Sequence, residues 1–221
     1  MKFTPPIFSR IFKLFAATAA ILAFASCSHT EEEGSVSLNI PRSVCEQIVA
    51  RSPVSTSGSD EGATMKVFVT GDWQATKTVQ ITGGSGVTIG FDSIPSGSKV
   101  HVVCLIEGVL NENWGFVGSC QIGVSNELVI SGKHENSVEL SLGNLSFVFD
   151  DSSTYTLSLT QGFPGCTYRW EFADGVITTT SVEFGTYPYS GPDMGDPFMG
   201  TSYCTIYCDG TEITTLGGVQ Y

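Results

Sequence analysis

Short runs that alternate apolar and polar residues, separated by Gly, Ser, Asn or Asp, recur from Ser35 to the end of the chain. Successive side chains of a strand point to opposite faces, so this alternation predicts strands with one buried face. The first predicted strands are 35–40, 63–70, 76–82, 86–92, 99–107, 114–120, 126–131 and 137–142. Eight strands in about 110 residues fit one antiparallel β-sandwich module, which we place at 35–143.

A second set of strands begins after Gly143-Asn144. Its members are two single strands and two longer stretches with an internal turn: 145–150, 154–160, 167–180 and 202–215. The turns contain Asp174-Gly175 and Asp209-Gly210, and Asp-Gly between β-forming residues is typical of tight hairpins. We predict a smaller immunoglobulin-like sandwich at 144–221. The predicted fold class is therefore all-β, with two antiparallel sandwich modules.

Four segments between these strands are predicted to form turns or loops. Glycines at 83–86 separate a predicted strand pair, and 94–97 (Ile-Pro-Ser-Gly) has Pro and Gly where a type I turn prefers them. Residues 42–62 are rich in Ser and Gly, which favours an exposed loop, with a short helix through Val44, Ile48 and Val49 as the alternative. Three Pro and four Gly at 183–200 predict a long loop.

The first 26 residues have the organisation of a secretory signal. Lys2, Arg10 and Lys13 form a basic start, and an apolar run follows from Leu14 to Ala25. The run is well short of the roughly 20 residues that cross a bilayer as a helix. We therefore predict an export signal at 1–26.

The residues Phe24-Ala25-Ser26-Cys27 resemble a bacterial lipobox, of the relaxed kind found in spirochaetes and Bacteroidota. The resemblance implies that 1–26 is a lipoprotein signal peptide and that Cys27 carries palmitate and related acyl chains in the outer membrane. Two or three chains on one residue hold a protein stably to a bilayer. Ordinary cleavage after Ala25, which would release a soluble protein, is the alternative.

The segment that begins with this cysteine, 27–34, is acidic, and we predict that it forms a tether. Its Glu31, Glu32 and Glu33 resemble the surface-export signals of Bacteroidota lipoproteins, and a solvated spacer is the equal alternative. The formal net charge is −12, and loss of residues 1–26, with three cations and no anions, makes it −15. Such a charge repels nucleic acid and acidic lipid head groups. The expected membrane contact is the N-terminal lipid, without a nucleic-acid partner.

Two further stretches resemble known extracytoplasmic modules. Residues 91–108 (FDSIPSGSKVHVVCLIEG) are similar to a turn of prealbumin-like and carboxypeptidase-regulatory-like sandwiches. Residues 168–175 (YRWEFADG) resemble a hairpin of bacterial immunoglobulin-like or polycystic-kidney-disease-like modules. These resemblances imply a binding or adhesion scaffold at the cell surface, for a protein or glycan of the host or envelope.

The sequence lacks the common catalytic signatures. His29, His101 and His134 have no partner in sequence, and neither H-E-x-x-H, a nucleophile elbow nor a glycine-rich phosphate loop occurs. We therefore expect no enzyme, catalytic residue, metal or cofactor. Two acids such as Glu171 and Glu183 would suffice for a glycan hydrolase, which stays as a minor alternative.

Six cysteines remain besides Cys27, and an even number outside the cytoplasm suggests disulfides. We predict a bridge between Cys104 and Cys120, and a second between Cys166 and either Cys204 or Cys208. Buried free thiols are the alternative.

The aromatic loop at 183–200 is the predicted binding surface, because Tyr and Trp offer large contact areas at little entropic cost. The candidate residues on it and on its flanking strands are Tyr187, Tyr189, Phe198, Met199, Tyr203 and Trp170. The same side chains could instead cap the core of the smaller module. The predicted function is a non-enzymatic, membrane-anchored binding or adhesion scaffold, with a structural subunit of a surface appendage or envelope complex as the alternative.

Overall fold

A computed structural model describes residues 32–51, 62–108, 110–111, 116–132, 134–150, 156–172, 175–179, 183–186 and 200–220. These residues contain one helix, α1 (Arg42–Arg51), and seventeen strands. The first nine strands are β1 (Glu33–Ile40), β2 (Gly62–Gly71), β3 (Ala75–Thr82), β4 (Val87–Pro95), β5 (Lys99–Glu107), β6 (Leu110–Asn111), β7 (Phe116–Val117), β8 (Ser119–Val124) and β9 (Leu128–Val129). The others are β10 (Glu135–Val138), β11 (Gly143–Asp150), β12 (Thr156–Leu159), β13 (Cys166–Phe172), β14 (Gly175–Thr179), β15 (Glu183–Thr186), β16 (Gly200–Cys208) and β17 (Thr211–Gln220).

The strands form three sheets, which confirms the predicted all-β class. Sheet A has the order β10-β1-β4, and sheet C has the order β14-β13-β16-β17-β7-β6. Sheet B has the order β15-β12-β11-β8-β5-β2-β3, with β9 paired to β5. Pairing is antiparallel except for β1 with β10 and β17 with β7.

The predicted module boundary at Gly143-Asn144 falls within sheet B. Strand β11 begins there and pairs with β8, so that Gly143 lies opposite Ile122 and Leu145 opposite Cys120. Sheet B therefore contains strands from both predicted modules.

Strand β5 shows why sheet B lies at the centre. Its sequence KVHVVCLIE is apolar at nearly every position, as expected for a strand buried on both faces. One face carries Val100, Val102, Cys104 and Ile106. The other carries His101, Val103 and Leu105. Each face thus contributes to a different hydrophobic core.

Core A lies between sheet B on one side and sheet A with helix α1 on the other. It is aliphatic for the most part and includes Val36, Leu38, Cys45, Ile48, Met65, Val67, Ile81, Phe91, Ile94, Val102 and Cys104. Core C lies between sheets B and C. It is richer in aromatic rings and thiols and includes Phe68, Leu105, Cys120, Ile122, Leu145, Cys166, Tyr168, Trp170, Cys204, Ile206, Cys208 and Leu216.

Helix α1 replaces the first part of the loop favoured for 42–62. The backbone N–H groups of Val44 and Cys45 donate to the carbonyl of Pro41, which starts the helix. Cys45 and Ile48, three residues apart and therefore on one helical face, are both buried in core A. Burial of this face against the sheets stabilises a segment whose composition alone favours a loop.

Two of the predicted turns differ from expectation and one is confirmed. Residues 83–86 connect β3 in sheet B to β4 in sheet A, so the strands that they separate are not a hairpin pair. In the next turn the N–H of Ser98 donates to Pro95, and Gly97 has φ +90°, which places glycine third, as a type II turn requires. Asp209 and Gly210 have φ of 48° and 78° between paired Cys208 and Thr211, as in a type I′ hairpin.

Candidate functional site

Most of the predicted lipid and binding residues lie outside the described part of the chain: Cys27, Tyr187, Tyr189, Phe198 and Met199. Trp170 is fully buried in core C. This position fits the alternative interpretation, in which Trp170 belongs to the core of the smaller module. Tyr203, opposite Glu171 in the register of β16 and β13, is half-buried.

The two acids named for a glycan hydrolase lie on different sheets. Glu171 is on β13 of sheet C and accepts a hydrogen bond from the guanidinium of Arg169. Glu183 begins β15 at the edge of sheet B, where it lies opposite Ser158. Glu171 therefore forms an ion pair with a residue of its own strand.

The six cysteines of the described residues are buried free thiols. Cys104 belongs to core A and Cys120 to core C, so sheet B separates the first predicted pair. Cys166 lies opposite Cys208 in the register of β13 and β16, and Cys204 lies opposite Trp170. Of the predicted pairings, this arrangement brings together Cys166 and Cys208.

Cys166 and Cys208 belong to a group of polar side chains at one end of core C, which we call the turn cluster: Thr70, His101, Cys166, Cys208 and Asp209. Thr70 and His101 are neighbours across β2 and β5 of sheet B. Cys166 begins β13, Cys208 ends β16, and Asp209 occupies the hairpin turn that follows. The cluster therefore joins the hairpin of sheet C to the face of sheet B.

The Asp209 carboxylate is the centre of the turn cluster. Its Oδ2 lies 2.8 Å from Nδ1 of His101 and 2.8 Å from Oγ1 of Thr70. A carboxylate only accepts, so both partners supply the hydrogen. Thr70 Oγ1 also lies 3.4 Å from Cys208 Sγ, and that sulfur is 3.9 Å from Asp209 Oδ2.

The two thiols of the cluster differ in acidity. Hydrogen bonding from the Cys166 thiol lowers the pKa of Cys208, and so do the Thr70 hydroxyl and the nearby His101, whereas burial and Asp209 oppose the shift. The pKa of Cys166 is raised by the same hydrogen bond and by burial. Cys208 is thus the sulfur that holds negative charge more readily.

Gly165 packs directly against the imidazole of His101. Its φ is +68°, and a Cβ at this position would lie 2.7 Å from Cε1 and 2.9 Å from Nε2 of the ring. The carbonyl of Gly165 accepts a hydrogen bond of 3.3 Å from the N–H of Asp209. Close approach of this backbone fixes both the ring and the hairpin turn, and it requires glycine.

The ligand atoms of His101, Cys208 and Asp209 all lie within 4.8 Å of one another. His101 and Cys208 are buried, and the side chain of Asp209, 25% exposed, marks the solvent side of the cluster. Imidazole, thiolate and carboxylate are groups that bind transition metals, and two thiols on facing strands can also form a disulfide. Metal binding and thiol oxidation are therefore the two chemistries available to these residues.

Sequence reasoning missed the turn cluster because its parts are distant in the chain. His101 and Asp209 are separated by 108 residues, and Thr70 and Cys208 by 138. The one available signal is Cys208-Asp209-Gly210, where a thiol directly precedes a hairpin turn that holds a carboxylate at a fixed position.

A second feature is an open polar groove of about 410 Å³ between β1, β4 and β10. Its charged or titratable lining residues are Glu33, Asp92, His134 and Glu135. Glu33 and Glu135 begin their strands and Asp92 lies within β4, and solvated surface acids of this kind account for most of the charged lining.

Within the described residues, no helix combines the length and apolar character needed to cross a bilayer. Searches of protein families, curated proteins and solved structures find no match to this chain.

Proposed function

We propose that the chain is a lipid-anchored protein of the bacterial envelope that works by contact and not by catalysis. In this proposal Cys27 is acylated in the outer membrane after removal of 1–26, residues 27–34 form the tether, and the β body presents loops to a protein or glycan partner. The observation that carries the proposal is the burial of both faces of β2 and β5, the strands of sheet B that contribute to both cores, which leaves strand edges and connecting loops to meet partners.

The body in this proposal consists of two sandwich modules, 35–143 and 144–221, which resemble prealbumin-like and immunoglobulin-like folds. The two cores support the division, because core A is built wholly from residues of the first module. Most residues of core C belong to the second module, and the others lie on β2, β5 and β8 of the first. The modules therefore share sheet B.

The proposed binding surface is the aromatic loop within 183–200, with Tyr187, Tyr189, Phe198 and Met199 as contact residues. Tyr203 follows the loop on β16 and is half-buried. Trp170, which lies opposite Cys204 on the core C face of the same sheet, acts as a support from below. Large aromatic residues on a rigid base are a common basis of protein and glycan binding.

The protonation state of three buried thiols outside the turn cluster favours a non-enzymatic role. Burial raises the pKa of Cys104, Cys120 and Cys204 to about 12, so all three are protonated at neutral pH. A protonated thiol is a poor nucleophile.

The alternative function, a structural subunit that adds to neighbours through a strand edge, is favoured by β3. Among the described strands it ends sheet B and pairs only with β2, and most of its residues are exposed. An open edge can accept a strand from another chain. Lys77 on this edge, whose Nζ lies 4.9 Å from the ring centre of Phe91, is a residue type that discourages such pairing.

Metabolic labelling with an alkyne palmitate analogue tests the anchor. We expect label on the native chain and on the neighbouring control Ser28→Ala, and none on Cys27→Ser, which should leave the membrane fraction. Recovery of the native chain from the cytosol with an unmodified Cys27 would overturn the anchor.

Glycan arrays and pull-downs from host matrix test the contact function. Replacing Tyr187, Tyr189, Phe198 and Met199 together by Ser should weaken binding at least tenfold, by loss of contact area. The matched control is Val129→Ser, which removes an exposed apolar side chain elsewhere on the body. Blank binding assays combined with turnover of a glycan substrate would favour the hydrolase, and polymers joined through β3 would favour the structural subunit.

A further inference from the structure

We propose that the turn cluster is a binding site for one zinc-type divalent transition-metal ion, with His101, Cys208, Asp209 and Cys166 as ligands. Three of the four ligand atoms are already close together, since those of His101, Cys208 and Asp209 lie within 4.8 Å of one another. Zinc holds sulfur at about 2.3 Å and nitrogen or oxygen at about 2.0–2.2 Å, so its ligands stand about 3.3–3.8 Å apart. In the proposed site these side chains move to this spacing when the ion binds.

Cys166 supplies the fourth ligand from the facing strand. It lies opposite Cys208 in the register of β13 and β16, and both side chains are buried in core C. Its sulfur is not among the three ligand atoms that already lie together, so the proposed site requires its side chain to turn toward them when the ion binds. The resulting set of two sulfurs, one nitrogen and one oxygen is a tetrahedral set that zinc accepts.

The backbone holds these ligands rigidly. Asp209 sits in a type I′ turn, where its φ of 48° is fixed by pairing on both sides. His101 is held in β5, and Gly165 packs on its ring at a distance that leaves no room for a side chain. Rigid elements place a metal site more accurately than loops do.

The surroundings supply the outer contacts that metal sites use. The Thr70 hydroxyl, 2.8 Å from Asp209 Oδ2, orients the carboxylate. Core C encloses the sulfurs, because Cys166 and Cys208 are both buried. The bound ion would join the hairpin of sheet C to β5 of sheet B.

Metal binding at this site releases protons and transfers no electrons. The two thiols lose their protons to solvent as the sulfurs bind the ion, and Asp209 binds as the carboxylate. His101 binds through Nδ1, which faces Asp209, while its ring hydrogen moves to Nε2. The step requires no oxidant or reductant.

The test uses the full chain, purified with a thiol reductant and titrated with Co²⁺ alone. We expect one equivalent per chain, the strong near-ultraviolet absorption of cobalt–thiolate bonds, and its loss when Zn²⁺ is added. Native mass spectrometry with Zn²⁺ should add one zinc less two hydrogens. Absence of the cobalt–thiolate absorption would overturn the proposal. So would a native mass lower by two hydrogens without metal, with peptide mapping that assigns the disulfide to Cys166 and Cys208.

Variants locate the site. Cys208→Ser should abolish most of the cobalt–thiolate absorption, and His101→Asn should weaken Co²⁺ binding at least tenfold. The matched control is Cys204→Ser on the same strand, another fully buried thiol of core C outside the turn cluster, which should bind Co²⁺ as the native chain does. Equal loss in Cys204→Ser and Cys208→Ser, with circular dichroism unchanged in both, would contradict the assignment.

Discussion

Core A and core C lie on opposite faces of the same sheet, yet their compositions differ. Core A is filled by aliphatic side chains, with Cys45 and Cys104 as its thiols. Core C holds Trp170, Tyr168 and four cysteines, and the turn cluster lies at its end. Because β2 and β5 contribute to both cores, the difference arises from alternate residues of the same strands. One sheet can therefore provide stability on one face and chemically versatile side chains on the other.

The largest effect should come from removing a large side chain from either core. Trp170→Ala should cost about 3–5 kcal/mol of unfolding free energy and Met65→Ala about 2–5 kcal/mol, because both side chains are fully buried. Since sheet B belongs to both cores, urea unfolding followed by circular dichroism should show one transition that both variants shift. Two transitions, each moved by one variant only, would mean that the cores unfold independently, as separate modules.

Two glycine substitutions compare the close contact of Gly165 with the His101 ring against the open turn that precedes β5. Gly165→Ala should cost about 3 kcal/mol, because it combines a positive φ with a methyl group 2.7 Å from the His101 ring. Gly97→Ala has a similar φ of +90° and no atom within 4 Å of the new methyl group, so it should cost about 1 kcal/mol. Thermal and urea unfolding measure both. Equal costs would show that the imidazole moves away without penalty.

The sequence predicts strands much better than it predicts which strands meet. Strand β5 occupies the predicted 99–107, and the Asp209-Gly210 hairpin is confirmed, because alternation and turn chemistry are local properties. Residues 83–86 pass between sheets, and nothing local distinguishes such a connection from a hairpin. Helix α1 depends on burial of Cys45 and Ile48 against strands elsewhere in the chain.

The site was less accessible to prediction than the fold. His101 alternates with valines along β5, so the sequence indicates a structural residue. Its partner Asp209 is 108 residues away, and no local pattern connects the two. Cys104 and Cys120 read as a disulfide pair because their strands are neighbours, but the odd and even faces of sheet B separate them. Pairing of cysteines requires the register as well as the strand order.

High pH should lower the free energy of unfolding through ionisation of groups in both cores, and more strongly through those in core C. Burial raises the pKa of Tyr168 from the ordinary 10 to about 12. The neutral ring therefore contributes stability that is fully present below pH 10 and is lost as the pH rises through 12, by about 2 kcal/mol. The raised pKa values of Cys120 and Cys204 in core C, and of Cys104 in core A, act in the same direction from about pH 9 upward.

Urea unfolding of the reduced chain at pH 8 to 12 measures this effect. Tyr168→Phe should lose about 1 kcal/mol at pH 8, because the N–H of Phe163 loses its 2.8 Å acceptor, and should depend less on pH above 10. The control Tyr207→Phe changes a tyrosine whose ring is partly exposed. If Tyr168→Phe and the native chain lose stability in parallel from pH 10 to 12, ionisation of Tyr168 is not the cause.

The smallest effect concerns the hydrogen bonds that join the hairpin of sheet C to sheet B. Thr70→Val keeps the shape of a fully buried side chain but removes the hydroxyl that contacts Asp209 and Cys208, so it should cost the metal-free chain about 1 kcal/mol. The control Thr64→Val lies on the same strand, where the hydroxyl is exposed and accepts from Gln80, and should cost less than about 0.5 kcal/mol. Urea unfolding compares the two variants.

Because Thr70 lies on the core C side of β2 and Met65 on the core A side, the costs of Thr70→Val and Met65→Ala should be additive within about 0.5 kcal/mol in the double variant. A larger coupling would mean that sheet B transmits strain between its faces and that the two cores are one mechanical unit.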